Sequence, residues 1–220
     1  MVKRKRILRA VVSLLLTALL IPLSSVTLMA DPGIVEADPG SGPGLPLEAG
    51  FGCALIQSVY TAEQLGGEAF PIVAVVLKLA GLPDTGVNAD VELYLTSVPA
   101  GTVFDGDTDW QEFNEVYPLF YDTFPLENGE LALPLRTPFN YNGTDDLLLS
   151  VTILPYASTE EESYLLTASG SAGASLVFNG DDYIDVWDVD QLAETAGTLY
   201  DEVPAVSFLQ SFAYGVNVMP

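Results

Sequence analysis

Apolar and polar residues alternate with a period of two along most of the chain beyond residue 70. Five runs show the pattern, and their apolar members are Val73, Val75, Leu77 and Leu79; Val91, Leu93 and Leu95; Leu131, Leu133 and Leu135; Leu147, Leu149, Val151 and Ile153; and Phe208, Phe212, Tyr214, Val216 and Val218. This period places one face of a β-strand on a core and the other towards water or a second layer. The runs therefore predict strands, the last of them reaching residue 218.

Turn-forming residues separate these runs, and the sequence leaves little room for helix. The turns are Pro83-Asp84, Pro99-Ala100-Gly101, Glu127-Asn128-Gly129 and Asn142-Gly143. Thr61 and Gln64 have the spacing of a capping box that could begin one helical turn, and residues 188–196 could form a second short helix. Many short strands joined by polar turns predict an all-β fold: a two-sheet antiparallel β-sandwich or jelly roll with one or two very short helices. Pro134 predicts an edge strand or a bulge.

The first thirty residues have the layout of a secretory signal peptide. Five of the seven basic residues lie in the first nine positions, and the stretch from Ala10 to Leu23 is almost entirely apolar. That stretch falls short of the roughly 20 residues that a membrane-spanning helix needs. We expect residues 1–30 to be a signal peptide, cleaved after Ala30 or, less favourably, Ala37, and an uncleaved anchor is the alternative. The expected location is extracellular or at the cell surface.

Residues 31–50 are rich in proline and glycine, which argues against a continuous strand or helix. We expect this stretch to be an extended linker or N-terminal arm. Residues 51–220 are one domain's worth of chain and show no second linker, so they predict a single β-sandwich domain. Cys53 has no second cysteine to pair with, and we expect it to be a small buried apolar residue. Its distance from the apolar stretch disfavours a lipid anchor.

Charge and composition restrict the chemistry of the domain. Beyond residue 30 there are two basic residues, Lys78 and Arg136, against thirty acidic ones, a formal charge of −28. Such a surface repels the phosphates of nucleic acids. The chain has no histidine, which excludes Ser-His-Asp and Cys-His catalysis and zinc sites with histidine ligands. A pair of carboxylates could still hydrolyse glycosides. We expect no catalysis, because no strand pattern places alternating acids on one face.

Two acidic stretches are candidate calcium sites, since carboxylate oxygens at alternate positions can converge on a hard cation. The candidate ligands are Asp105, Asp107 and Asp109 in the first stretch, and Asn179, Asp181, Asp182, Asp185 and Asp188 in the second. Neither stretch matches an EF-hand: Trp110 and Asp182 each occupy the position of its invariant glycine. Solvated acidic loops are the alternative interpretation, and we favour it over calcium.

Several stretches of the domain form a recognisable set: residues 56–66, residues 91–95, Thr108-Asp109-Trp110, Thr137-Pro138-Phe139-Asn140-Tyr141-Asn142-Gly143 with the leucines after it, and residues 197–200. Together they resemble a secreted β-sandwich module of Bacteroidetes-type surface and exported proteins. Such modules often stand beside fibronectin-like or adhesin domains. The resemblance covers roughly residues 55–214. It implies an extracellular binding or adhesion role and brings no catalytic residues. Asp146 departs from it, since asparagine is expected at that position.

Three functions follow as hypotheses. The first is a secreted or surface-displayed, non-catalytic binding or adhesion module whose partner is an extracellular protein or glycan. The second is a structural subunit of an extracellular fibre or assembly, which uses the arm at residues 31–50 to reach a neighbouring copy. The third, least favoured, is a carboxylate glycosidase. No cofactor is expected apart from calcium, and no stable membrane span is expected once the signal is cleaved.

Overall fold

The protein is an all-β, antiparallel sandwich, as the alternation predicts. The computed structural model describes residues 33–38, 44–47, 52–82, 87–113, 118–155, 163–181 and 183–210. The predicted signal peptide and the end of the predicted last strand lie outside these ranges. Within them, no helix has the length and apolar character that a membrane crossing requires.

Two six-stranded sheets make up the sandwich. Sheet A contains, from one end, β1 (Ile34–Val35), β14 (Val206–Leu209), β4 (Phe70–Ala80), β9 (Ser163–Leu165) and β2 (Leu45–Leu47), with β7 (Gly129–Tyr141) also paired to β4. Sheet B has the order β12 (Thr198–Tyr200), β11 (Ser175–Gly180), β3 (Cys53–Tyr60), β8 (Asp146–Pro155), β5 (Val87–Val98) and β6 (Phe120–Leu126). Strands β10 (Thr167–Ser169) and β13 (Glu202–Pro204) form a small third sheet, and helix α1 spans Val189–Glu194.

Alternate residues of sheet B belong to two different cores. The inner face contributes residues such as Ile56, Leu93 and Val151 to the main core, which also takes Val75 and Leu77 from sheet A. The outer face contributes to a second, smaller core. Its members are Leu55, Val59, Tyr94, Val98, Phe104, Trp110, Phe113, Leu148, Leu176, Ile184, Val186 and Leu192. The runs in β5 and β8 are therefore buried on both faces.

Two parts of the predicted linker pair with the sandwich. Strand β1 runs antiparallel to β14, and β2 runs antiparallel to β9. Leu45 and Leu47 are almost completely buried in the main core. The prolines and glycines do prevent a continuous strand, but short apolar pieces between them still cover sheet A. The structure thus differs from the free arm that the composition suggested.

Strand β7 carries the edge features that Pro134 predicts. Its described pairing is with β4 alone, and the register shifts between Ile72 and Ala74 of β4, whose partners are Phe139 and Pro134. The residues in between bulge out of the ladder, which accommodates the second proline of the strand, Pro138. Prolines and bulges protect an edge strand from pairing with other chains.

The predicted caps and turns occur where the structure describes them. Thr61 and Gln64 exchange the reciprocal bonds of a capping box, 2.8 Å from Thr61 N to Gln64 Oε1 and 3.2 Å from Gln64 N to Thr61 Oγ1. Residues 61–66 nevertheless form turns without a regular helix. Gly143 has φ +77°, and a Cβ there would lie 2.4 Å from the carbonyl carbon of Glu68, so glycine is required. The Pro83-Asp84 turn lies outside the described residues.

Candidate functional site

Two acidic loops cover the second core. We call residues 101–113 the first acidic loop and residues 183–197 the second. They bind each other through three hydrogen bonds: the Trp110 indole N–H to the Thr195 carbonyl at 2.7 Å, Phe113 N to the Val186 carbonyl at 3.1 Å, and Gly197 N to the Asp107 carbonyl at 2.6 Å. The buried apolar side chains of both loops pack on the outer face of sheet B. The structure therefore brings together two stretches that are more than 70 residues apart in the chain.

The three candidate ligands of the first loop take part in hydrogen bonds within that loop or to the second acidic loop. The Asp109 carboxylate accepts a hydrogen bond from the backbone N–H of Asp105 at 3.3 Å. The backbone carbonyl of Asp107 accepts the bond from Gly197 described above. The side chains of Asp105 and Asp107 are exposed, and Asp109 is half-buried.

The candidate ligands of the second stretch point in different directions. Asn179 lies two residues after Val177 in β11, so its side chain is on the same face as that main-core residue. Its amide donates to the Pro46 carbonyl at 3.3 Å. Asp188 caps α1 by accepting from Gln191 N at 3.1 Å. Asp185 is half-buried, Asp181 is exposed, and Asp182 lies outside the described residues. Asn179 thus faces sheet A, whereas Asp185 and Asp188 belong to the loop on the opposite face of sheet B.

No group of three or more Asp, Glu or Cys residues is placed to hold a metal ion within the described ranges. The hydrogen bonds of Asp109, Asn179 and Asp188 give each a role in the fold. Calcium binding stays a prediction.

A different polar group lies on the outer face of sheet B beside the second acidic loop. Glu92 of β5 pairs with Thr152 of β8 on one side and with Tyr121 of β6 on the other. The Tyr183 hydroxyl donates to Glu92 Oε2 at 3.2 Å. Directly paired residues of an antiparallel sheet have Cβ atoms about 4.5–5.5 Å apart. We call Glu92, Thr152, Tyr121 and Tyr183 the Glu92 site.

The Glu92 site is partly open to solvent and partly buried. Tyr121 and Tyr183 are 45% and 39% exposed, so both present aromatic surface to solvent. Glu92 is half-buried, whereas Thr152 is only 1% exposed. Cys53 on the same face is completely buried, as expected, and burial raises the pKa of its thiol to about 11. Arg136 donates to the backbone carbonyl of Tyr121 at 3.1 Å.

Burial and neighbouring charge raise the pKa of Glu92. Desolvation is the largest cause, and repulsion from Asp185 and Asp90 acts in the same direction, while hydrogen bonds from Tyr183 and Tyr94 act in the opposite one. None of these groups is a cation. Burial likewise raises the pKa values of Tyr94 and Tyr183. Among the described residues, the groups that shift the pKa of Glu92 are therefore carboxylates and tyrosines.

Two buried hydroxyls beside Glu92 have no hydrogen-bond partner. They belong to Thr152 and to Ser150, which is 0% exposed and pairs with Tyr94 of β5 and Gln57 of β3. Gln57 is satisfied by the backbone of Gln111, with two bonds of 2.8 Å. An unpaired buried hydroxyl costs about 1–3 kcal/mol, so native proteins contain few of them. Both unpaired groups lie on the face that carries Glu92.

The sequence did not lead us to predict this site. The statement that no strand places alternating acids on one face was wrong for β5. Asp90 and Glu92 do lie on one face of β5, because they alternate with the main-core residues Ala89, Val91 and Leu93. The sequence analysis placed the polar members of the apolar runs towards water or a second layer and did not identify a site among them. The alternation Asp90, Glu92, Tyr94 was the available signal. The contribution of Tyr183, 91 residues from Glu92, had no signal in the sequence.

Comparison with known proteins gave no relative: no protein-family model, no curated protein and no solved structure matches the chain.

Proposed function

We propose that the protein is a secreted or surface-displayed, non-catalytic binding module of the adhesion type. Its ligand would meet the outer face of sheet B at strands β5 and β6. One observation carries the proposal: Tyr121 and Tyr183 are both exposed beside the half-buried Glu92, Tyr121 as its cross-strand partner and Tyr183 through a hydrogen bond to its carboxylate. Exposed tyrosines give large contact areas at low entropic cost and are enriched where proteins bind partners.

The fold supports a binding role for this face. The main core, with its completely buried leucines, forms between the sheets without any contribution from the Glu92 site. Strands β5 and β6 hold Glu92 and Tyr121 in neighbouring positions before a ligand arrives, which lowers the entropic cost of binding.

The binding test uses the protein expressed from its full sequence, applied to arrays of extracellular glycans and extracellular proteins. Tyr121→Ala and Tyr183→Ala should each weaken capture by an amount corresponding to about 1 kcal/mol or more, as for aromatic residues at binding hot spots. Leu199→Ala is the matched control, because Leu199 is 39% exposed on β12 at the opposite edge of sheet B. Capture that survives both tyrosine changes, or that falls equally in the control, would count against the proposal.

Assembly through the N-terminal arm is less well supported than binding through sheet B. The described parts of the arm pair with β14 and β9 of their own chain and bury Leu45 and Leu47. To reach a neighbouring copy, these strands would have to leave the main core. Exposing two leucines costs about 1.5–3 kcal/mol each.

A carboxylate glycosidase is the second candidate, because Asp90 and Glu92 share a face of β5 and the pKa of Glu92 is raised. A raised pKa suits the general acid of a glycosidase, and its second carboxyl acts as nucleophile or base. Hydrolysis of an oligosaccharide by the wild type, abolished in Glu92→Gln and in Asp90→Asn, would establish this activity. Binding without hydrolysis in the same assay would support the non-catalytic module.

A further inference from the structure

The groups that surround Glu92 are suited to receive hydrogen bonds. The carboxylates of Glu92 and Asp185 can only accept when ionised, and the Thr152 hydroxyl has both its donor and its acceptor capacity unused. The rings of Tyr121 and Tyr183 add exposed π faces on the same side. No cation is among the groups that act on Glu92. A ligand that supplies N–H donors and positive charge would pair with both carboxylates and with the acceptor lone pairs of the Thr152 hydroxyl.

We propose that the Glu92 site binds the ammonium or guanidinium group of a lysine or arginine side chain on an extracellular protein partner. The inference rests on the proposed function and names its ligand. The cation would donate to the Glu92 carboxylate and to Thr152 Oγ1 while it lies against the rings of Tyr121 and Tyr183. Charge-assisted hydrogen bonds and cation–π contacts both strengthen in a partly desolvated site.

Tyr183 is the group that the ligand displaces from Glu92. Its hydrogen bond to Glu92 is 3.2 Å long, beyond the usual range for O–H···O bonds, and its ring is 39% exposed. An incoming N–H can therefore replace the tyrosine hydroxyl on Oε2 at small cost. Thr152 is 1% exposed, so the ligand reaches its hydroxyl only if the side chains around it move as well.

The charge of the whole chain favours the same class of ligand. Beyond residue 30 the formal charge is −28, so a basic partner is attracted over long distances and an acidic one is repelled. The same charge also attracts cations without specificity. A test must therefore separate attraction by the whole chain from binding at Glu92.

The full-length protein is titrated with four probes, and calorimetry or NMR measures the binding of each. They are Nα-acetyl-lysine amide, its Nε-acetylated analogue of similar size without charge, spermidine as a free polyamine, and a neutral oligosaccharide. Glu92→Gln should weaken binding of the lysine probe about tenfold, and Thr152→Val about threefold. Glu63→Gln is the matched control. Glu63 is exposed in the turn after β3, and its replacement by glutamine removes the same charge as Glu92→Gln. It should leave affinity within twofold of the wild type.

The outcomes separate this inference from the proposed function. A preference for the lysine probe over its acetylated analogue that is lost in Glu92→Gln and kept in Glu63→Gln supports both the inference and the proposed function. A stronger response to spermidine than to the lysine probe would identify a free polyamine as the source of the cation. Binding of the oligosaccharide with no response to the lysine probe would overturn the cation inference and keep the binding module. Equal loss in Glu92→Gln and Glu63→Gln would overturn the inference in favour of unspecific attraction. If no probe gives a response at sheet B, and array capture is the same for the wild type, Tyr121→Ala and Tyr183→Ala, both the cation inference and the proposed function are overturned.

Discussion

The two faces of sheet B are built from the same strands and buried to a similar degree, yet their chemistry differs. On the inner face, Ile56, Leu93 and Val151 are apolar and contact other apolar residues of the sandwich. On the outer face, Leu55 and Leu176 are equally buried under the acidic loops, but Ser150 and Thr152 lie on the same face with unpaired hydroxyls. The inner face thus forms the main core between the two sheets. The two unpaired hydroxyls of the outer face add to the exposed Tyr121 and Tyr183 as support for a binding role there.

Matched leucine truncations give the largest expected effect and test whether the inner face dominates stability. Leu93 and Leu55 are both 0% exposed, one on each face of sheet B. Leu93→Ala should lower the free energy of unfolding by about 4 kcal/mol, because the facing sheets cannot collapse into the cavity. Leu55→Ala should cost about 2 kcal/mol, because the covering loops can adjust. Urea unfolding measures both, and an equal or larger cost for Leu55→Ala would contradict the difference between the faces.

Asp146→Asn tests a polar group of β8 that has all its partners. Its carboxylate accepts from Ala62 N at 3.0 Å and from Gly101 N at 2.7 Å, and the residue is 3% exposed. An asparagine would present an NH₂ group to one of these donors, so we expect a loss of about 1–3 kcal/mol.

The control for this change is the neighbouring Asp145→Asn. The Asp145 carboxylate accepts a bond from the Asn142 amide at 2.7 Å on the exposed surface. Its loss should change the free energy of unfolding by less than about 0.5 kcal/mol. Thermal or urea unfolding of both variants at neutral pH gives the comparison. Equal effects would mean that the two buried backbone bonds of Asp146 are not what stabilises this end of the sheet.

The pH dependence of stability at Glu92 is the smallest expected effect. Because the folded-state pKa of Glu92 is raised, its contribution is fully present below its ordinary pKa of about 4.5 and is lost as pH rises through the folded-state value. The wild type should therefore lose a few tenths of a kcal/mol relative to Glu92→Gln between pH 4 and pH 7, a small amount because Glu92 is half-exposed. The carboxylates of Asp90 and Asp185 face Glu92 and raise its pKa, while the hydroxyls of Tyr183 and Tyr94, whose own pKa values are raised, act in the opposite direction. A wild type that gains stability relative to the variant over this range would contradict the assignment.

Asp38 should show the opposite dependence. Hydrogen bonds from the side chain and backbone of Ser169 lower its pKa, so its contribution is present above its ordinary value of 3.8 and is lost as pH falls. Asp38 lies in the segment predicted as a linker. Urea unfolding of Asp38→Asn at pH 3 and pH 7 should show a cost that is larger at neutral pH. A cost that does not change with pH would mean that this bond does not hold the segment to the sandwich.

The sequence predicted most of the sandwich because its signals are local. Alternation in β5 and β8 and the reciprocal caps at Thr61 and Gln64 follow from residues close together in the chain. Helix α1 was predicted at residues 188–196 for the same reason. The short strands β1 and β2 were missed, because two or three residues carry no periodicity and their stability comes from burial against distant strands.

The site was less predictable than the fold, since it depends on register and on the position of a loop. That Thr152 and Tyr121 flank Glu92 follows only from the pairing of β8, β5 and β6. The acidic stretches were evident in the sequence, but the number of acidic residues in them did not show on which face of sheet B each side chain lies. Asn179 faces sheet A, and Asp188 caps a helix.

Thr152→Val tests most directly the claim that the unpaired Thr152 hydroxyl on the outer face serves binding and not stability. Valine has nearly the shape of threonine and removes a buried hydroxyl that has no partner. We predict an unfolding free energy equal to or higher than that of the wild type, by up to about 1 kcal/mol, together with a threefold weaker affinity for Nα-acetyl-lysine amide. A lower free energy of unfolding with unchanged affinity would show that the hydroxyl serves the fold, and would contradict the account.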